Sequence, residues 1–227
     1  LILVGDSASM VVYGYDDTTP ISMDEMLLVL RAVVRGAKHA LIVADMPFMS
    51  YQPSTEHAIK NAGKFIKNGA NAIKVEGGNS DTCNKVRALV DSGIPVVGHI
   101  GLMPQSINVT SGYSVQGKTE EHAKQIIQEA LSLSAAGIFA LVLEGIPSDL
   151  ASIITKQVSI PTIGIGAGAD VDGQVLVIHD LLGITHEFNP RFLRRYLNLH
   201  DEITGAVDQY ISDVRSEDFP NENERYS

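Results

Sequence analysis

The stretch Phe65-Ile66-Lys67-Asn68-Gly69-Ala70-Asn71-Ala72-Ile73-Lys74-Val75-Glu76-Gly77 decides the fold. Upstream of it, between Thr55 and Asn68, the residues Ala58, Ala62, Phe65 and Ile66 recur on one side of a helix, and Gly69 stops it. A short run at 72–75 follows and ends on a charge and a glycine. This unit of helix, glycine, buried run and polar stop repeats along the chain. The runs at 1–4, 41–44, 96–100, 139–143, 162–165 and 175–178 read as further strands by their length and their Val, Ile and Leu content. Their near-continuous apolarity suits parallel strands covered on both faces.

Helix punctuation between the runs agrees. Ser22-Met23-Asp24-Glu25 is a capping box ahead of Met26, Val29, Leu30 and Val33 on one face. Residues 119–136 carry Ile126, Ile127, Ala130 and Leu133 before Gly137. Ser148 is placed to cap a helix that ends before Ile160-Pro161, and Asn189-Pro190 to open a terminal helical region reaching about Val214. Strand–helix alternation of this kind means a parallel sheet with helices outside, open or closed. Polar residues end nearly every strand instead of gathering at one crevice, and no G-x-G-x-x-G follows the first strand. Both features favour a closed (β/α)8 TIM barrel over a doubly wound sheet. Seven runs leave a deficit of one βα unit, roughly 30 residues, which fits a chain that opens at Leu1 inside a strand. The expected organisation is one barrel domain with C-terminal helices over 1–215, then a polar tail over 216–227.

Composition narrows the function. With 227 residues, 44% of them hydrophobic and 19% charged, the chain can bury the core of one α/β domain. A formal net charge of −10 argues against a nucleic-acid partner. No apolar run approaches the roughly 20 residues of a membrane span. A lone cysteine, Cys83, excludes an internal disulfide and fits a reducing, cytoplasmic setting.

In a barrel the C-terminal strand ends share one mouth, where chemistry is done. Read in order, those ends offer Asp6-Ser7, Asp45, Lys74 with Glu76, His99, Glu144 and the glycine-rich turn 164–168. Four carboxylates at one mouth repel each other unless a cation sits among them, and oxygen ligands alone suit Mg²⁺, or Mn²⁺. Each residue also has a plainer role open to it. Asp6 and Asp45 could form turns, Lys74 and Glu76 a structural ion pair on one strand face, and His99 a hydrogen-bonded core residue. Glu144 is a general base or a salt-bridged barrel residue. Cys83, early in a helix, reads as packing. His39, His57, His122 and His200 read as surface residues on helices.

At these positions the sequence resembles the ketopantoate hydroxymethyltransferase (3-methyl-2-oxobutanoate hydroxymethyltransferase) family. The matching stretches are Leu-Val-Gly-Asp-Ser (3–7), Ala-Asp-Met-Pro-Phe-Met-Ser-Tyr (44–51), Gly-Ala-Asn-Ala-Ile-Lys-Val-Glu-Gly-Gly (69–78) and Gly-His-Ile-Gly-Leu-Met-Pro-Gln-Ser (98–106). Gly-Tyr-Ser-Val-Gln-Gly (112–117), Leu-Val-Leu-Glu-Gly-Ile-Pro (141–147), Ile-Pro-Thr-Ile-Gly-Ile-Gly-Ala-Gly (160–168) and Asp-Gly-Gln-Val-Leu-Val-Ile-His-Asp (172–180) extend the likeness.

The resemblance implies a Mg²⁺-dependent barrel of the phosphoenolpyruvate-mutase and isocitrate-lyase kind, lacking its first βα unit in this chain. It implies transfer of a hydroxymethyl group from 5,10-methylenetetrahydrofolate to 3-methyl-2-oxobutanoate, giving 2-dehydropantoate for pantothenate biosynthesis through a metal-stabilised enolate. Asp6 and Asp45 would bind the metal, with Glu76 holding it through water. The oxo acid would lie against Asp6, Ser7, Asp45 and Lys74, with His99 adjacent, and Glu144 would take its C3 proton. A homo-oligomer, a decamer, is implied too. The loop 111–118 is a lid candidate. Where the family usually has Leu-Gly after Gly-Asp-Ser, this chain has Ala8-Ser9. Two rivals remain: another metal-dependent 2-oxo-acid lyase or mutase on the same scaffold, and a barrel that binds without catalysing.

Overall fold

In the computed structural model, which describes residues 1–106 and 114–226, the chain groups into two compact units, Leu1–Val175 and Leu176–Ser227. The first contains β1 (Ile2–Val4), α1 (Ala8–Val11), α2 (Met23–Gly36), β2 (Ile42–Asp45), α3 (Thr55–Lys67), β3 (Ala72–Glu76) and α4 (Ser80–Asp91). It continues through β4 (Val96–Gly101), α5 (Glu120–Ala136), β5 (Ala140–Glu144), α6 (Ser148–Gln157), β6 (Thr162–Ile165) and β7 (Gly173–Gln174). The second contains α7 (Ile178–Leu181) and α8 (Leu199–Arg215).

All seven strands are parallel, and each pairs with its neighbour in sequence, in the order β1-β2-β3-β4-β5-β6-β7. A doubly wound sheet would reverse order at a switch point; this one does not. The sheet curls, because Leu3, Val43, Val97, Val142 and Ile163 line one small apolar cavity although they come from strands far apart in that order. The barrel reading holds, with seven strands among the described residues where a closed barrel has eight.

Two apolar clusters follow from the period-2 alternation of side chains. Outward residues such as Ile42, Ala44, Ile73, Val75, Ile100, Leu141 and Leu143 pack with Leu30, Phe65, Leu89, Leu133 and Ile154 of the surrounding helices. Inward residues Val43, Ala72, Val97, Ala140 and Val142, with Leu3, Ile163 and Ile165 against them, form the barrel interior. Burial on both faces explains why the strand runs are continuously apolar. The capping box of α2 forms as expected, with Ser22 N donating to Glu25 Oε2 at 2.7 Å and Glu25 N to Ser22 Oγ at 3.3 Å.

Four expectations need correction. The last strand is Gly173–Gln174, not 175–178, and Ile178 opens a helix instead. A short apolar run cannot be told from a helical one by periodicity. The register here is pinned by Asp172, whose carboxylate accepts from Thr162 N (2.8 Å) and Thr162 Oγ1 (3.0 Å). The terminal helix starts at Leu199, not at Pro190. Arg195 holds the intervening segment as a loop by donating from Nη2 to the carbonyls of Thr185, His186 and Phe188. Pro147, not Ser148, occupies the cap position of α6, without a side-chain cap bond. His39 lies in the loop after α2 and not on a helix, whereas His57, His122 and His200 are helical.

Gly101 closes β4 at φ +96°, opposite Glu144 in the register, and a Cβ there would stand 2.2 Å from the Glu144 carbonyl oxygen. Gly101→Ala is therefore expected to cost at least about 2 kcal/mol, from a left-handed backbone and overpacking together. Urea unfolding measures this; an unchanged midpoint and slope would contradict it.

Candidate active site

The alternation that fills the barrel with aliphatic side chains also lifts its polar ones to the mouth. Val43 and Asp45 share the inward face of β2, as do Ala72, Lys74 and Glu76 on β3, Val97 and His99 on β4, and Val142 and Glu144 on β5. In-register pairing sets Asp45 beside Lys74 and Glu76 beside His99. Asp6 joins from the turn after β1, where its backbone N–H donates to Asp45 Oδ2 at 3.1 Å. The apolar layer below and the helices outside leave Asp6, Asp45, Lys74, Glu76 and His99 buried.

Lys74 Nζ lies 3.4 Å from Asp45 Oδ1, 4.0 Å from Glu76 Oε1 and 3.1 Å from His99 Nδ1. Burial works to lower its pKa, but Asp45 and Glu76 outweigh that and raise it, so Lys74 stays an ammonium. His99 Nδ1 is 3.4 Å from Glu76 Oε1, and His99 Nε2 is 3.1 Å from Glu144 Oε2, though too oblique for a well-aligned hydrogen bond. An ammonium only donates, so the Lys74 contact is a hydrogen bond when Nδ1 is unprotonated and Nε2 carries the proton. Burial and Lys74 oppose protonation of His99, while Glu144 and Glu76 favour it more strongly. In the neutral tautomer and in the imidazolium alike, Nε2–H faces Glu144.

The carboxylates are under-neutralised. Burial first, then Asp45 and Glu76, push the Asp6 carboxyl up to about 8. Burial raises Asp45 as well, against Lys74 and the Asp6 N–H. Glu76 goes the other way: burial is offset by His99 and Lys74, which hold it low. Asp45 Oδ1 and Glu76 Oε1 are buried with no hydrogen-bond partner. Among the described residues no group of three or more His, Cys, Asp or Glu converges tightly enough to chelate an ion unaided. A hard divalent cation that keeps part of its water shell needs only one or two direct carboxylates. The orphaned oxygens, the raised Asp6 and the all-oxygen donor set therefore fit such an ion.

Ser7 is half-buried at the start of α1, makes no side-chain cap bond there, and leans over Gly5. A Cβ on Gly5 would come within 2.8 Å of Ser7 Oγ and 3.6 Å of Asp45 Oδ2, so glycine keeps the hydroxyl beside the carboxylates. Glu144, at 17% side-chain exposure, is the carboxylate of the group that opens to solvent. The glycines of 164–168 are used for internal packing: a Cβ at Gly164 would meet Val171, and one at Gly168 would meet Ser148. Ser9, where the family usually has Gly, is buried and donates to the Asp17 carbonyl at 2.7 Å, fixing the loop after α1. Part of the lid expected at 111–118 falls on residues 107–113, outside the described residues; in the described part Gln116 N donates to Gly145 O at 2.8 Å. Cys83 is buried, its thiol donates to Gly78 O, and burial raises its pKa, which suits packing. A larger surface cleft, lined by Val34, Ala37, His39, Leu41 and Asn71, sits at the start of β2, at the opposite end of the strands.

Gln105 and Tyr51 escaped the sequence reading. Both lie within quoted motif stretches, but they are neutral and off the strands, so neither a strand-end rule nor a charge rule selects them. Tyr51 accepts from Glu76 N at 3.1 Å, and burial followed by Glu76 holds its hydroxyl protonated.

Residues 1–222 match the family model described as ketopantoate hydroxymethyltransferase. Curated relatives named 3-methyl-2-oxobutanoate hydroxymethyltransferase include those of Kosmotoga olearia, 52% identical over 97% of this chain and 82% of that protein, and Dehalococcoides mccartyi, 53% identical over 100% and 81%. Similar solved structures include a phosphoenolpyruvate phosphomutase from Streptomyces platensis subsp. rosaceus (TM-score 0.60, 12% identity, 95% of this chain and 76% of that one). Phosphonopyruvate hydrolase in complex with oxalate and Mg⁺⁺ gives a TM-score of 0.59 at 13% identity, over 98% and 80%. At such identity these structures bear on the fold.

The Asp6 carboxyl stands near 8 when folded, against an ordinary 3.8. The folded chain thus keeps a proton that the unfolded chain has lost, so this contribution to stability is full below about 4 and is lost as pH rises towards 8. In chelator-treated protein, Asp6→Asn should remove that loss. The stability advantage of the variant should grow with pH across this window, by up to about 1.4 kcal/mol per pH unit. Urea midpoints at steps of pH between about 5 and 8 check it; a constant difference would contradict it.

Proposed function

The chain belongs to the ketopantoate hydroxymethyltransferase family, and on that premise we propose that it transfers a hydroxymethyl group from 5,10-methylenetetrahydrofolate to 3-methyl-2-oxobutanoate. The products are 2-dehydropantoate and tetrahydrofolate, with one water taken up in the overall balance. One observation carries the reading: a permanent ammonium, Lys74, and a partly open carboxylate, Glu144, stand on the two sides of His99 at one mouth. The first suits the negative charge of an oxo acid and the second suits a proton acceptor.

Asp6 and Asp45 would hold Mg²⁺, or Mn²⁺, with Glu76 acting through water. Such an ion supplies Lewis-acid polarisation of a carbonyl when bound. The chain's own residues account for the rest. Lys74 and Ser7, with the edges of Asp6 and Asp45, receive the oxo acid. Lys74 keeps its charge despite burial and so offsets the charge that develops as C3 loses its proton. Glu144 takes that proton; it is the partly exposed carboxylate of the mouth, whereas Asp45 and Glu76 are buried against Lys74. His99 Nε2 stands 3.1 Å from Glu144 Oε2 and so places an N–H beside the carboxylate that takes the proton. The carbanionic C3 forms the new bond to the one-carbon unit. One water breaks that unit's two C–N bonds to the folate, its oxygen becoming the hydroxyl and its protons going to the folate nitrogens, and the proton held by Glu144 completes the hydroxyl group.

The family match, over 1–222, runs across both compact units and supports reading them as parts of one enzyme; the boundary of the polar tail at 216 is proposed from its charged and polar sequence. An exposed stripe of Ile203, Val207, Tyr210 and Val214 along α8 supports association of copies; the count of ten rests on the family resemblance. Among the described residues no helix is long and apolar enough to cross a membrane. A single buried cysteine suits a reducing compartment such as the cytoplasm.

Glu144→Gln keeps the size of the side chain and removes its basicity. We expect turnover to fall by about 10²–10⁴, with the oxo-acid affinity changed by less than about threefold. Calorimetric titration and a dehydropantoate assay measure the two. Turnover near wild type would remove Glu144 from the role.

A further inference from the structure

Gln105 lies in the short 3₁₀ turn Pro104–Ser106 that follows β4 and is 5% exposed. Its backbone N–H donates to Glu76 Oε2 at 3.1 Å. Its side-chain Nε2 donates to Asp6 Oδ2 at 2.8 Å and to Met46 O at 2.9 Å. Its Oε1 accepts from Gln52 Nε2 at 3.2 Å and lies 3.4 Å from the Tyr51 hydroxyl. Both amide hydrogens and both acceptor directions are thereby engaged, so the amide has one satisfied orientation. Turned over, it would aim an oxygen at the Asp6 carboxylate and the Met46 carbonyl.

These bonds are selective among the carboxylate oxygens. Gln105 occupies Oδ2 of Asp6 and Oε2 of Glu76, while the Asp6 N–H occupies Oδ2 of Asp45. What remains on Asp45 and Glu76 is Oδ1 and Oε1, both buried and both without a hydrogen bond. One residue thus spans two carboxylates, Asp6 through its side-chain amide and Glu76 through its backbone N–H, and decides which face of each is left over. We propose that Gln105 is a positioning residue, fixing which oxygens of Asp6 and Glu76 are presented to a divalent cation. The proposal rests on the reading of Asp6, Asp45 and Glu76 as the cation's holders. Partners of this kind, which hold ligands and not the ion itself, set affinity by orienting the ligands before the ion arrives.

The test is Mn²⁺ binding to the chelator-stripped 227-residue chain, followed by the electron paramagnetic resonance signal of free Mn²⁺, for wild type, Gln105→Met and Asp45→Asn. Gln105→Met keeps the length of the side chain and the backbone N–H to Glu76 but abolishes the bonds to Asp6 and Met46. The expected result is a dissociation constant raised about tenfold to a hundredfold in Gln105→Met. Its lost turnover should return when Mn²⁺ is raised to saturation, with KM for the oxo acid then within about twofold of wild type. A purely structural role would lower kcat at every metal concentration. Equal Mn²⁺ affinity in wild type and Gln105→Met, with Asp45→Asn weakened, overturns the role of Gln105 and leaves the cation reading standing. A wild-type chain that takes up no Mn²⁺ overturns both. If Gln105→Met does not fold, Gln105→Asn, whose amide falls one methylene short of Asp6, is decisive: weakened binding supports the role and unchanged binding overturns it.

Discussion

Lys74 is a single buried ammonium set among three buried carboxylates, Asp6, Asp45 and Glu76. The arrangement of the mouth depends on that imbalance. Removing charges from water is costly, and one ammonium cannot compensate three carboxylates. The chain offsets part of the cost with donors: the Asp6 N–H serves Asp45, the Gln105 N–H serves Glu76, and the Gln105 amide serves Asp6. The remainder shows as a proton held on Asp6 and as two carboxylate oxygens that face Lys74 but accept no hydrogen bond. A divalent cation taking the place of the proton held on Asp6 would neutralise all three carboxylates, which is the physical case for one.

The fold makes that arrangement possible by dividing each strand between two environments. Ile73 and Val75 face the helices, and Ala72, Lys74 and Glu76 face the interior, so one strand contributes both to the outer core and to the site. The aliphatic layer beneath, including Val43, Val97 and Val142, closes the interior below the charges. That layer keeps the local dielectric low and so strengthens every interaction at the mouth. Gly101 allows β4 to end tightly against Glu144, which carries one positional requirement of the fold directly into the site.

Much of this was legible in the sequence because barrel architecture places function at predictable positions. Asp45, Lys74, Glu76, His99 and Glu144 lie at or near the ends of apolar runs, and the strand-end rule collects them without any knowledge of their contacts. Asp6 follows from the same rule two residues beyond its run. Gln105 and Tyr51 did not, because their part is set by three-dimensional reach: Gln105 meets Asp6 across 99 residues, and no local pattern marks an amide for that. The errors at 175–178 and at 190–198 share a cause. In both places a side chain in a loop, Asp172 or Arg195, fixes the backbone through bonds that apolar periodicity does not register.

The central claim is that this mouth polarises a 2-oxo acid and removes a proton from the adjacent carbon. The most direct test incubates the wild-type chain with 3-methyl-2-oxobutanoate and Mg²⁺ in D₂O, without folate, and follows the C3 proton by NMR with and without a chelator. The account predicts loss of the C3 signal above background, suppressed when the chelator is added. A folded protein that binds the oxo acid and the metal yet leaves the C3 proton in place would contradict it.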